Sequence, residues 1–169
     1  MNVRDVAVSV LAVALVLAGV YAVAPGAVGS AVPGLGGGGD YDRTTVAVRD
    51  ENGSSLATVE VRIADTRAKR YTGLSDTESL ADGEGMLFVH PNGGRHAYVM
   101  RRMEFPLDIV FASANGTVTR IHHAELPPEG ADSLRRYPGE GRYVLEVPYG
   151  YANRTGIDVG DRLVVGGDY

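Results

Sequence analysis

Twice in this chain an Asn-Gly pair stands between two runs in which apolar and polar residues alternate. Thr44–Arg49 and Ala57–Ile63 flank Asn52-Gly53, and Leu107–Ala112 and Thr117–His123 flank Asn115-Gly116. Alternation sends successive side chains to opposite faces of a strand. Asn and Gly tolerate the positive φ that the tightest hairpin turns require. The two pairs therefore predict two hairpins, each closed by a two-residue turn, and commit the chain to a β architecture.

Further short apolar strands are expected at Gly85–Val89, Ala97–Met100, Arg142–Val147 and Arg162–Val165, with a loop at Pro91–Gly94 between the first two. Asp65 or Thr66 can cap a short helix that Gly73 ends, and Tyr149–Thr155 reads as one helical turn before Gly156. The expected fold is mainly β: a compact β-sandwich or barrel of about seven or eight short strands with one or two short helices. Its core is expected to include Val61, Leu87, Phe88, Ile109, Phe111, Leu145 and Val164.

Ahead of this domain lies a run without charge, Val6–Ala24, interrupted by Ser9 and Gly19 and preceded by Arg4. It is long enough to cross a bilayer as a hydrophobic helix. Pro25 would stop that helix, and the segment after it, rich in glycine through Gly39, reads as a flexible tether. The expected organisation is a membrane anchor or signal segment over residues 1–25, a tether over 26–42, and a globular domain over 43–169. The basic residue before the span favours the N-terminus inside and the domain on the outer face of the cytoplasmic membrane. Secretion after signal cleavage near Gly29-Ser30-Ala31 is the alternative.

Composition excludes several classes. With no cysteine there is no disulfide, thiolate metal site, cysteine nucleophile or cysteine-linked lipid anchor. The domain must cohere by packing alone, which is feasible for roughly 125 residues. A net charge of -5 gives no case for nucleic acid as a partner. Asn52, Asn115 and Asn153 each begin an Asn-x-Ser/Thr sequon and are possible glycosylation sites.

An ordered set of short motifs carries a family resemblance. It runs from Thr66-Arg67 and Gly73-Leu74 through Gly83-Glu84-Gly85-Met86-Leu87-Phe88, then Met100 and Pro106-Leu107-Asp108-Ile109-Val110-Phe111. It ends with Tyr143-Val144-Leu145-Glu146, Gly150 and Gly156-Ile157-Asp158-Val159-Gly160-Asp161. This series resembles the uncharacterised family called domain of unknown function 192, over roughly Val59 to Val165. The resemblance implies a compact β-rich domain and no established activity. Family members often place an aromatic just before the methionine and a Lys-Asn-Thr-like triplet after it. Here the aromatic is Tyr98 and the triplet is Arg101-Arg102-Met103, which keeps a positive charge at Arg101.

The candidate site residues are Arg67, Arg101, Asp108 and Glu146. Arginine offers a planar donor fork to a carboxylate or phosphate. Arg67, Arg101 and Asp108 are expected to share a polar rim, with Glu146 nearby on the strand face opposite Tyr143, Leu145 and Val147. The competing structural readings are ion pairs among these charges, a buried Asp108 satisfied by backbone donors, and a turn role for Asp161. The four histidines lack metal-binding spacing, since His122 and His123 point to opposite faces of one strand. No metal, cofactor or catalytic triad is expected.

Two function classes follow. One is a non-catalytic binding module for a small anionic ligand or an envelope protein. The other is a hydrolase-like enzyme with Asp108 or Glu146 as general acid/base. A strongly raised carboxylate pKa in a deep cleft speaks for the second, and a shallow, arginine-lined concavity without perturbed acids for the first.

Overall fold

The computed structural model describes residues 40–169. The expected span Val6–Ala24 and the tether through Gly39 lie outside the described residues. Among the described residues no helix is long and apolar enough to cross a membrane.

The elements are β1 (Arg43–Arg49), β2 (Ser55–Ala64), α1 (Arg67–Thr72), β3 (Glu84–Val99), β4 (Leu107–Ala112), β5 (Val118–Ala124), β6 (Arg136–Pro148), α2 (Tyr151–Thr155) and β7 (Arg162–Val165). The seven strands form one sheet in the order β5-β4-β6-β3-β2-β1-β7. Strands β2 and β3 run parallel, with α1 in the crossover between them, and every other pairing is antiparallel. Thr66 caps α1 by accepting from Lys69 N, and Gly73 ends it, as the sequence implied.

The sheet curls until its two edges touch at one end. Thr117 bridges Arg162, Leu163 N donates to Gly116 O at 2.8 Å, and Val118 N donates to Asp161 O at 2.8 Å. The architecture is therefore a single curled mixed sheet, a half-barrel, and neither two stacked sheets nor a closed barrel. Alternation marks strands but carries no information on how they join.

Both Asn-Gly hairpins form, with a longer turn than expected. Gly53 N donates to Asp50 O and Asp50 N to Ser54 O; Gly116 N donates to Ser113 O and Ser113 N to Thr117 O, all at 2.9 Å. Each is a turn closed by a glycine in the left-handed region, at φ 86° and 87°. The strands then slip by one residue, between Val48 and Arg49 and between Phe111 and Ala112. Asp50 and Asn115 drive the choice, because their side-chain oxygens accept backbone N–H groups inside the turns.

Strand β3 is longer than expected. It continues through Pro91–Gly94 because β6 runs beside both halves, pairing Met86–Val89 with Tyr143–Glu146 and Gly94–Val99 with Arg136–Gly141. Pro138, Gly139 and Gly141 disguised the first half of β6 as a loop. Gly139 is a packing requirement: a Cβ there would lie 2.4 Å from the Phe111 ring.

Every residue of β4 is buried, because both faces of the central strands are covered. One apolar layer contains Val61, Leu87, Val110, Leu145 and Leu163 and is capped by Tyr151, Ala152 and Ile157. The other contains Leu74, Met86, Phe88, Met100, Ile109 and Phe111. Val164 is a correction to the expected core: it is 42 % exposed, while Leu163 is 3 % exposed. The β1–β7 register sets Leu163 against Val48 on the inner face and turns Val164 outward.

Removing the Phe111 side chain should cost about 3–5 kcal/mol. Gly139→Ala should destabilise the wild type by more than it destabilises a Phe111→Ala background, since the same ring is the obstacle. Thermal or urea unfolding of the four proteins in this cycle measures the coupling. Simple additivity would show that the ring and the glycine do not meet.

Candidate functional site

Asp108 is fully buried within β4. Its carboxylate accepts from Gly150 N at 3.0 Å and Ala152 N at 2.8 Å, at the start of α2, and meets His123 Nδ1 at 2.6 Å. It faces the same side as Val110 and Ala112, whose layer α2 caps. Asp108 thus fixes α2 over the inner layer, and its oxygens are committed to that task. Asp161 has a comparable role, accepting from Asp158 N at 2.7 Å in the turn before β7.

Glu146 faces the opposite side of the sheet. Tyr143, Leu145 and Val147 join the α2-capped layer, while Glu146 pairs laterally with Met86 on β3 and Ile109 on β4. It is 6 % exposed and lies against a cavity of about 460 Å³. Phe88, Met100 and Leu107 supply apolar walls, and Tyr71, Tyr98, His90 and His96 add aromatic and polar ones. No donor among the described residues hydrogen-bonds the Glu146 carboxyl. Burial without a compensating charge pushes its pKa up to about 8, so the acid is largely protonated at pH 7.

The neighbouring groups are held neutral as well. His90 Nε2 meets the Tyr98 hydroxyl at 3.0 Å, and the His90 ring stacks on His96 with centroids 3.6 Å apart. Burial, then the nearby His96 and Arg70, lower the His90 pKa to about 4. Burial, then Glu146, raise the Tyr98 pKa. The neutral His90 ring and the Tyr98 hydroxyl share one hydrogen bond, whose direction follows the His90 tautomer. His96 contacts Gly141 O at 3.1 Å and His122 contacts Pro138 O at 2.7 Å. Each histidine is engaged locally. Among the described residues no group of three or more His, Asp and Glu could hold a metal ion.

The cationic part of the cavity comes from Arg70 and Arg101. Arg101 donates to Tyr71 O and lies over the Tyr71 ring, 4.1 Å from its centroid. Arg70 donates to Val89 O at 2.8 Å and to Asp65 O. Neither forms a salt bridge among the described residues, so both carry uncompensated charge. Arg102, by contrast, is exposed and reaches Asp76 at 3.6 Å.

The structure therefore brings together Arg101 and Glu146 and separates the other two expected members. Arg67 is exposed at the start of α1 and does not line the cavity; Asp108 is on the far face of the sheet. Arg70, one helical turn after Arg67, takes the place expected for Arg67. Tyr98 and His96 were missed although a signal existed: with Met100 they alternate along one strand and so share a face. Asn52, Asn115 and Asn153 are all exposed, the first two in the hairpin turns and the third on α2.

The chain belongs to the DUF192 family, whose description is uncharacterised ACR; residues 47–165 match it. No curated protein matches the chain. Among the crystal structures similar to it, two are each 28 % identical. One, from Sinorhizobium meliloti 1021, is described as a candidate transcription regulator; the match covers 74 % of this chain and 95 % of that one, with a TM-score of 0.65. The other is a protein of unknown function from Novosphingobium aromaticivorans, with 80 % and 94 % covered and a TM-score of 0.67.

Asp108 and Glu146 should respond differently to substitution. Asp108→Ala leaves the α2 N–H groups without their acceptor and should cost about 1–3 kcal/mol for each group left unpaired; Asp108→Asn, which keeps one acceptor oxygen, should cost less. Urea unfolding ranks the two variants.

Glu146 is a weaker acid folded than unfolded, so the native state keeps a proton that the unfolded chain releases above its ordinary value of 4.5. Its contribution makes stability fall as pH rises towards about 8. His90 acts with opposite sign between about 4 and 6.5, which offsets this slope at the acid end. Between pH 6.5 and 8 stability should therefore fall, by up to about 1.4 kcal/mol per pH unit, and Glu146→Gln should flatten the curve. An unchanged slope in that variant would assign the titration elsewhere.

Proposed function

We propose that this domain is a non-catalytic module that binds a small ligand in the cavity over Glu146, held on the outer face of the cytoplasmic membrane by Val6–Ala24. The observation that carries the reading is the Glu146 carboxyl itself. No protein donor among the described residues holds the carboxyl where it opens on the cavity, so a ligand that seats there must supply the partner or leave a polar group unpaired at a cost. Apolar walls with a few convergent polar groups are the usual composition of a ligand pocket. The anchoring rests on the length of the apolar run and on the glycine-rich segment after it.

A second reading has its own support. A carboxyl kept protonated near neutral pH in a cavity is what a general acid requires. Glu146 then serves a hydrolase-like reaction, while Asp108, committed to α2, takes no part. The raised pKa of Glu146 meets the criterion for the enzyme, and the arginines beside it meet the one for the binder; the binding reading is preferred because no nucleophile or second acid among the described residues hydrogen-bonds Glu146.

Methyl NMR of the full-length protein in non-ionic detergent, screened against mixtures of small fragments, separates the two. Binding fragments should shift the Met100 and Met103 methyls and stay chemically intact. Fragment conversion that disappears in Glu146→Gln would favour the enzyme, and hits that all leave these methyls unmoved would sink both readings. Full-length protein should also remain with membranes after a carbonate wash; its release uncut would overturn the anchor.

A further inference from the structure

We infer that the cavity takes a small hydroxyaryl carboxylate, with its carboxylate on Arg70 and Arg101 and its hydroxyl on the Glu146 carboxyl. The inference rests on the binding reading above and specifies its ligand class.

Three features of the cavity define the ligand. The first is charge: two guanidiniums line it, with no carboxylate paired to either among the described residues. Each keeps donors beyond its bonds to Tyr71 O or to Asp65 O and Val89 O. Such a pair selects an anion and rejects an amine. Glu146, largely protonated at neutral pH, does not offset that preference.

The second feature is shape and surface. Phe88 and Tyr98 meet edge to face with centroids 5.0 Å apart, Tyr71 lies under Arg101, and the His90–His96 stack forms a further wall. Flat rings favour a flat aromatic body over a branched aliphatic one. The cavity volume of about 460 Å³ accommodates a single-ring molecule.

The third feature is Glu146. A purely apolar ligand end would cover its carboxyl and leave it unpaired, at the desolvation cost already described. A hydroxyl both donates and accepts, which matches the O–H and C=O of a neutral carboxyl. The three features together require an anion, an aromatic ring and a hydroxyl in one molecule.

The probe is 3-(4-hydroxyphenyl)propionate, titrated calorimetrically into the full-length protein in non-ionic detergent at pH 7. Its comparators are 3-phenylpropionate, without the hydroxyl; 4-hydroxyphenethylamine, with the charge inverted; and 4-ethylphenol, without charge. The hydroxyaryl carboxylate should bind about tenfold tighter than each comparator. Glu146→Gln, whose amide still donates and accepts, should keep the preference for the hydroxyl, and Glu146→Leu should erase it. Arg101→Gln should erase most of the preference for the anion. Binding in the cavity of the amine or the uncharged phenol as tightly as the acid would overturn this inference while leaving the cavity a binding site. If no probe binds and none shifts the Met100 and Met103 methyls, the binding reading falls with it.

Discussion

Strand β6 lies between β3 and β4, and its simultaneous pairing with both sets the rest of the domain. Val144, Leu145 and Glu146 have hydrogen-bonded strand neighbours on each side. Layers of side chains flank both faces, so a residue there has no open strand edge beside it, and Glu146 opens only on the cavity. That is tolerable for Leu145 and demanding for Glu146, which is placed by register between Met86 and Ile109. The unusual acidity of Glu146 is therefore a property of the sheet's topology. No neighbouring charge is needed to explain it, and an edge strand with the same sequence would not produce it.

The same sheet separates two jobs that carboxylates commonly perform together. Asp108 and Glu146 come from adjacent strands, one beside the other's neighbour, since Asp108 pairs with Val147. Strand alternation sends one to the inner face and the other to the outer. Asp108 becomes a structural acceptor for α2, and Glu146 is left facing open space. A reading that treats the two as a catalytic pair is incompatible with this arrangement, whereas either acid alone remains chemically interpretable. In the DUF192 family, for which no activity is described, the two acids therefore call for separate questions.

Much of the fold was legible in the sequence because local rules agreed with the final structure. The Asn-Gly pairs located both hairpins, Thr66 and Gly73 bounded α1, and alternation on β6 separated Glu146 from Leu145. What was hidden depended on distant partners. Pro138, Gly139 and Gly141 look like loop residues until Phe111 packs against Gly139 and β3 pairs alongside. The curl of a single sheet depends on contacts between Gly116 and Leu163, far apart in the chain. Of the candidate site, Glu146 was legible as a polar residue on a strand and Arg101 as a charge just past a strand end. The exchange of Arg70 for Arg67 depended on which side of a helix of six residues faces the sheet, and α1 has no buried apolar stripe from which to read that.

The pairing of β1 with β7 brings the first and last strands of the domain together, with Gly166 N donating to Thr45 O at 2.9 Å. During synthesis, β1 can pair with β2 early, but its other edge stays open until Arg162–Val165 has been made. The hairpin tip at Gly116 likewise waits for Leu163. The domain thus spends most of its synthesis as an incomplete sheet with exposed strand edges. Such intermediates invite pairing with other chains. The interval between the emergence of Arg49 and that of Val165 is the period in which this protein is most exposed to misassembly, and the shortness of β7 makes the final closure a small step once its residues arrive.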